Sequence, residues 1–488
     1  MKILLINPPY NIENYYGKLS SLAFIFPPVG LTYLAGFIRK NGHQVYIYDF
    51  QVEEQNFYDF LKKFRPDLAG ITCQTALFYN TLKLAKEIKK EFSEIPVIVG
   101  GSHASYRPHD FFESPDIDLV ARGEGEITLS EVLDHYERGN PELKDIKGIT
   151  YRDQREITDN PPRELIKNLD ILPMPAIDLL PLGKYRVSPD NYLGGRVGLI
   201  TTSRGCPFNC IFCACKQAFN RTYRPRTLDS VFEEIEYYVK NFQVSELFIM
   251  DDCFALDKKR AIEFCDRMIS AGYNKNILWW CQTRVDVVDE ELLSKMKEAG
   301  CKIVSFGIES GVQKLLNVIS KKTTLPQIRK AVKLAKKAGL EPRGSFILGL
   351  PEETFFDSLK TIFFALSLPL VQAKFGLATP YPGTKLWDIA LSEGQVKEEG
   401  EDWNRFTQMA AYTKYNPPYV PKGRKFRELK MLQKFANMIF YLKPTVIISF
   451  LKRIKNFQDL KYFVKAVFTF LMASVIKRDE KNHENSSD

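Results

Sequence analysis

The chain is poor in histidine, with 5 in 488 residues, and in tryptophan, with 4. Its 9 cysteines are too few and too scattered for the disulfide framework of a secreted domain, which favours a reducing, cytoplasmic setting. Met1-Lys2-Ile3-Leu4-Leu5-Ile6 carries one charged side chain and runs into Asn7-Pro8-Pro9 with no small-residue cleavage site, so no secretory leader is expected. Long apolar stretches are also missing. The longest in the C-terminal region, Ala466–Ile476, has 11 residues, whereas a helix that spans a bilayer takes about 20. What remains is ordinary for a globular protein: 45% hydrophobic and 26% charged residues. The length allows about two to four domains.

Acidic excess is absent too. The net charge is +9, and it is unevenly placed. Between Lys422 and Arg478 stand 14 Lys and Arg against Glu428 and Asp459, so that segment carries +12 and the rest of the chain −3. A basic excess confined to one segment argues against a general nucleic-acid binder. The same segment holds Phe435, Phe440, Tyr441, Phe450, Phe457, Tyr462, Phe463, Phe468 and Phe470. A basic amphipathic helix lying on an anionic membrane fits this composition. A helical cap on the preceding domain, with a solvated basic face, fits it equally.

Three of the cysteines do form a pattern. Cys206, Cys210 and Cys213 stand as Cys-x3-Cys-x2-Cys in Ser203-Arg204-Gly205-Cys206-Pro207-Phe208-Asn209-Cys210-Ile211-Phe212-Cys213. Three thiolates on one short loop can hold three irons of a 4Fe-4S cluster. The fourth iron then has no thiolate from this loop, and a small molecule can coordinate there. A zinc site with Cys215 as fourth ligand is the alternative, since structural zinc is closed by four ligands. The remaining cysteines, Cys73, Cys253, Cys265, Cys281 and Cys301, show no ligand spacing and read as core thiols.

Two alternations of strand and helix flank this loop. The first covers about 140 residues, with strands at Lys2–Ile6, Gln44–Tyr48, Asp67–Thr72, Val97–Val99 and Leu119–Ala121. Helices are expected at Val29–Lys40, Leu77–Glu91 and Ile127–Tyr136. Such alternation implies a parallel α/β sheet, whose ligands sit at the carboxyl ends of the strands. Asn7-Pro8-Pro9, Thr72, Gly100-Gly101-Ser102-His103 and Arg122-Gly123-Glu124-Gly125-Glu126 stand there. A hairpin over Gly148–Asn160 and a Pro-rich stretch through Pro181 read as a linker, 141–190. The second alternation, 191–390, has six strands beginning at Gly198, Glu246, Leu278, Lys302, Gly344 and Lys374, with five intervening helices. It fits an open (βα)6 partial barrel. The basic aromatic region, 391–488, closes the chain.

The cysteine loop, with Phe212 just before its third Cys, resembles that of the radical S-adenosylmethionine enzymes. In that family the methionine amine and carboxylate of S-adenosylmethionine chelate the open iron. One electron from the cluster then cleaves the sulfonium to give a 5′-deoxyadenosyl radical. The N-terminal set, with Pro27-Pro28-Val29-Gly30-Leu31 before its helix, resembles the cobalamin-binding domain fused to class B members. The resemblance implies a doubly wound domain and a partial barrel that use a 4Fe-4S cluster, S-adenosylmethionine and cobalamin. It assigns Thr72, Gly100, Gly101, His103 and Glu124 to cobalamin. The Asp-x-His-x-x-Gly motif that supplies a cobalt ligand elsewhere is missing, so cobalamin without a histidine ligand is expected. A domain that merely covers the barrel mouth is the bland alternative.

In the barrel, the resemblance assigns Asp251, Arg284, Ser305 and Glu309 to the methionine and ribose ends of S-adenosylmethionine. Phe212 and Ile347 flank the adenine. Glu309 could equally be a solvated strand-end carboxylate. The implied reaction is methylation of an unactivated carbon in a hydrophobic substrate: a lipid, terpenoid or tetrapyrrole. A flavodoxin or ferredoxin would supply electrons, and the C-terminal region would meet the inner membrane surface. An oxidative cyclase of the magnesium-protoporphyrin ester type is the alternative within the family. A non-catalytic iron-sulfur or cobalamin sensor is the alternative outside it.

Overall fold

The computed structural model describes residues 1–452 except 11, 23–24, 154–155 and 186–194. Phe457, Tyr462, Phe463, Phe468, Phe470 and the Ala466–Ile476 run lie outside the described residues.

The N-terminal sheet has seven strands: β1 (Lys2–Asn7), β2 (Gln44–Asp49), β3 (Leu68–Thr72), β4 (Val97–Gly100), β5 (Leu119–Ala121), β6 (Ile149–Asp153) and β7 (Glu156–Asp159). Their order is β2-β1-β3-β4-β5-β6-β7. The first five run parallel, and the β6–β7 hairpin adds to the β5 edge antiparallel. The central strands are buried on both faces, so they read as unbroken apolar runs. The order reverses at β1/β3, and the crevice at the carboxyl ends of these strands is the expected ligand site of a doubly wound sheet.

The second sheet contains β8 (Val197–Ile200), β11 (Glu246–Ile249), β12 (Leu278–Thr283), β13 (Cys301–Glu309), β14 (Glu341–Leu348) and β15 (Gln372–Leu377). All six are parallel and ordered β15-β14-β13-β12-β11-β8, an open partial barrel as expected from the sequence. A two-stranded ribbon of β9 (Ser203–Arg204) and β10 (Arg224–Pro225) sits at its mouth. Two details differ from the sequence reading. The connection from β13 to β14 holds two helices, Gln313–Val318 and Leu325–Lys337. β13 also runs on through a register shift to Glu309, which therefore lies within the strand and not after it.

Strand side chains alternate between two environments. One face packs on the outer helices in the main core. The other holds a separate apolar cluster of Leu199, Phe248, Trp280 and Ile303, with Phe26 and Val29 of the N-terminal domain packed against it. That cluster fills the amino end of the barrel interior.

The Pro-rich linker hugs the N-terminal domain. Ala176 N–H donates to Thr32 O at 2.9 Å, and Arg39 forks onto Asp178 at 2.8 Å. Beyond β15, helix Phe426–Tyr441 covers the open edge of the barrel, where Gln433 Nε2 donates to Phe375 O at 2.7 Å. Helix Pro444–Leu451 follows at a bend of 62°. No single described helix is long and apolar enough to cross a membrane.

Candidate active site

The cysteine loop leaves the barrel between β9 and β10, and that ribbon closes its base. It turns at Gly205, where φ is +90° and a Cβ would stand 2.0 Å from Thr222 O, so only glycine fits. Asp251, at the end of β11, ties down the entry. Its buried carboxylate accepts from Thr202 N–H and hydroxyl, both at 2.6 Å, and from Ser203 N–H and hydroxyl at 3.1 and 2.6 Å. Burial still raises its pKa. These four bonds commit the Asp251 carboxylate to the loop, and the contact expected of this strand end with the methionine amine is one through backbone. Gly205 N–H donates to neighbouring Asp252 at 3.1 Å. Ile211 is held from both sides, donating to Ile319 O at 3.1 Å and accepting from Leu386 N–H at 2.9 Å.

Cys210 is buried; Cys206 and Cys213 are half-buried. Burial pushes the Cys206 thiol up to about 11 and that of Cys210 upward. A bond from the Cys215 thiol brings Cys213 down to about 7. Among the described residues no three His, Cys, Asp or Glu converge as one metal ion demands. A cubane asks for no such convergence, because each thiolate takes a separate iron. Three cysteines on a loop pinned by Asp251, Asp252, Ile319 and Leu386 could therefore hold one.

Glu309 lies beside this loop. It adopts φ +68°, unusual for a non-glycine residue, and its carboxylate meets Lys321 Nζ at 2.8 Å. Both side chains are buried. Ser320 and Lys322, on either side of Lys321, also have positive φ, at 55° and 56°. A Cβ on Gly307 would come within 2.6 Å of the Glu309 oxygen and 2.8 Å of Lys321 Nζ, so glycine makes room for the pair. Positive-φ backbone at Glu309, Ser320 and Lys322 is therefore concentrated at one buried ion pair. The sequence reading missed Lys321, because nothing local marks it.

Arg284 stands beside the same loop. It forks onto Asp286 at 2.9 and 2.7 Å, donates to Lys321 O at 2.7 Å and stacks on Phe208 at 3.6 Å. It braces the Lys321 turn and the cysteine loop. Ser305 lies two residues beyond Ile303 on the interior face, level with Gln282 and Arg343. Phe212 and Ile347 are half-buried.

On the N-terminal sheet, Thr72 and Gly100 are register partners at the carboxyl ends of β3 and β4. Gly101 has φ +106°, and a Cβ there would meet Cys73 O at 2.7 Å. These three form one rim. His103 and Glu124 do not join it. His103 is buried among Trp403, Phe78 and Phe111, with Nδ1 3.2 Å from the Thr75 hydroxyl. Burial lowers its pKa. Glu124 accepts from Arg204 and Arg224, each at 2.8 Å, and from Ile166 N–H at 2.8 Å. Arg204 also reaches Glu126 at 2.6 Å. The acidic motif is thus an ionic bridge to the residues that open and close the cysteine loop.

The rim of one sheet faces the loop of the other. Tyr106, four residues after Ser102, donates its hydroxyl to Ala214 O at 3.0 Å, one residue past Cys213.

The B12 binding domain family matches residues 18–133, and the radical SAM superfamily matches residues 200–365. An uncharacterised methyltransferase of Pyrococcus horikoshii is 38% identical over 455 residues, 92% of this chain and 94% of that protein. The chain belongs to the cobalamin-dependent radical S-adenosylmethionine methyltransferase family. Its members use cobalamin, a 4Fe-4S cluster and S-adenosylmethionine. The family also borders on cyclases: the anaerobic magnesium-protoporphyrin IX monomethyl ester cyclase of Cereibacter sphaeroides is 30% identical over 439 residues, 87% of this chain and 67% of that protein. In fold, the chain is similar to the radical S-adenosylmethionine methyltransferase TsrM of Kitasatospora setae, at TM-score 0.71 and 17% identity, covering 97% of this chain and 99% of that one. In this radical S-adenosylmethionine enzyme the two family matches fall on the two sheets, and the Tyr106–Ala214 bond joins them.

Proposed function

We propose that this enzyme methylates an unactivated carbon of a hydrophobic substrate, such as a lipid, terpenoid or tetrapyrrole. The observation that carries the reading is the Tyr106–Ala214 contact, which sets the Thr72–Gly100–Gly101 rim against the Cys206–Cys210–Cys213 loop. When bound, the three cofactors supply a hydrogen-abstracting radical and a transferable methyl group.

The chain's own residues do the rest. Cys206, Cys210 and Cys213 hold the cluster. Glu309 and Lys321, a carboxylate and an ammonium 2.8 Å apart, suit the ammonium and carboxylate of a methionine zwitterion. Arg284 positions Lys321 through its carbonyl. Ser305 faces the ribose, with Phe212 and Ile347 along the adenine. Thr72, Gly100 and Gly101 hold cobalamin close to backbone. Electrons come from a flavodoxin or ferredoxin in the cytoplasm.

The test is anaerobic reconstitution, then incubation with cobalamin, S-adenosylmethionine and a strong reductant. Both 5′-deoxyadenosine and S-adenosylhomocysteine are expected, and Cys210→Ala should yield only background 5′-deoxyadenosine. Failure to form either, with cluster and cobalamin loaded and candidate lipids and tetrapyrroles supplied, would refute the reading. The cyclase relative supports a second one, oxidative cyclisation. Product mass separates them: methyl gained, against hydrogens lost and oxygen gained.

A further inference from the structure

Helix Pro444–Leu451 contains no charged residue, yet half of it faces water. Ile448 is 51% exposed and Leu451 50%, and Leu442, at the bend before it, is 55% exposed. A neighbouring helix shows the same anomaly. Phe356 and Phe363, seven residues apart on one face of Phe355–Ser367, are 70% and 54% exposed. The two regions are joined, because Lys443 Nζ donates to Leu366 O and Leu368 O at 2.8 and 2.9 Å. At the other end, Arg424 donates to Glu353 O at 3.1 Å. Helices Phe355–Ser367 and Phe426–Tyr441 therefore run side by side, with Met431 adding a further exposed apolar side chain.

Isolated exposed apolar residues need no explanation, but a set of this kind marks an interaction surface. Its charge setting narrows the occupant. Lys422, Lys425 and Arg427 are exposed at the start of the long helix and Lys452 at the end of the short one. Glu428, the one acid between Lys422 and Lys452, is tied to Arg424. The segment from Lys422 to Arg478 carries +12. A bilayer-spanning role does not fit, because the opposite side of Phe426–Tyr441, with Leu429, Leu432, Ala436 and Phe440, is fully packed in the barrel core.

We propose that the exposed apolar face of helices Phe355–Ser367 and Pro444–Leu451, rimmed by basic residues, is a docking surface for an anionic lipid bilayer. The apolar side chains enter the acyl boundary, and the lysines and arginines meet the headgroups. The barrel would then lie against the membrane, which suits a substrate with little solubility in water.

Full-length protein should be floated with vesicles of phosphatidylcholine alone and of phosphatidylcholine mixed equally with phosphatidylglycerol. Binding is expected only to the anionic vesicles, and added salt should release it. The double variants Ile448→Ser/Leu451→Ser and Phe356→Ser/Phe363→Ser should each weaken partitioning by at least about tenfold, with unchanged circular dichroism. Lys425→Glu/Lys452→Glu should weaken it without touching an apolar residue. Binding that survives both apolar variants would overturn the proposal and assign it to the chain beyond Lys452. So would self-association that these variants abolish, which would make the face a contact between two copies. Absence of binding to either vesicle would also refute it.

Discussion

Replacing Glu124 separates a structural carboxylate from a ligand contact. In the structure its side chain is 6% exposed, and that of Arg224 is 5% exposed. Burial alone would raise the Glu124 pKa, but bonds from Arg224 and Arg204 hold it below the usual carboxylate range. In Glu124→Gln the charge is lost, and the two arginines lose their shared counter-ion. Arg204 keeps Glu126 at 2.6 Å, whereas Arg224 is left with no anionic partner, only neutral acceptors such as the Ile166 carbonyl at 2.6 Å and the Phe219 ring beneath it. Stranding a buried charge costs about 3–5 kcal/mol. At about 1.4 kcal/mol per tenfold, even the low end multiplies the population with the domains parted by more than about a hundredfold. The assay is limited proteolysis of the cofactor-free chain, read at residues 161–185, alongside urea unfolding. Faster cleavage and a lower midpoint are expected. The companion Glu124→Gln/Arg224→Met removes both charges and should recover most of the loss. If Glu124→Gln cleaves and unfolds like the parent while cobalamin affinity falls, the ionic bridge is not its role.

Gly101→Ala places a methyl 2.7 Å from Cys73 O at a φ of +106°, so it should destabilise the apo-protein by about 1–3 kcal/mol and weaken cobalamin binding, read by chemical unfolding and by retention of the corrin spectrum. His103 is buried with a lowered pKa, so the unfolded chain binds its proton first as pH falls; stability is full above about 6.5 and declines from there toward the lower folded pKa. His103→Phe should flatten that part of the pH–stability curve, and an unchanged slope would show that another group sets it. Lys321→Gln should weaken S-adenosylmethionine binding at least about tenfold, as measured by calorimetry on the reconstituted protein, without altering the cluster's visible spectrum. Loss of the cluster itself would mean that Lys321 supports the loop and not the ligand.

Much of this architecture could be read along the chain, and the reason is burial. Strands such as Lys2–Asn7 and Glu246–Ile249 are covered on both faces, which forces the apolar runs that identify them. The cysteine loop was equally legible, because cluster chemistry fixes ligand type and spacing within eight residues of sequence, from Cys206 to Cys213. Groups that act through distant partners left weaker traces. Glu309 and Lys321 are 12 residues apart, and only the β13 register shift and a left-handed turn at 320–322 bring their charges together. Glu124 stands at a strand end, where ligand contacts gather, but Arg204 and Arg224 on another domain decide what it touches. His103 follows a Gly-Gly turn that suits close approach to a ligand, yet Trp403, 300 residues later, closes over it at 4.6 Å. In each case the residue type and local position are those of a binding group. A partner far along the chain makes the difference, and local pattern carries no information about such a partner. Acid and base at the seam between two sheets therefore need a second test before a ligand role is assigned: whether each lone pair and proton is already satisfied by protein. The carboxylates of Glu124 and Asp251 are satisfied in full, whereas among the described residues the side chains of Glu309 and Lys321 bond only to each other, which leaves them the capacity that the proposed zwitterion contact requires.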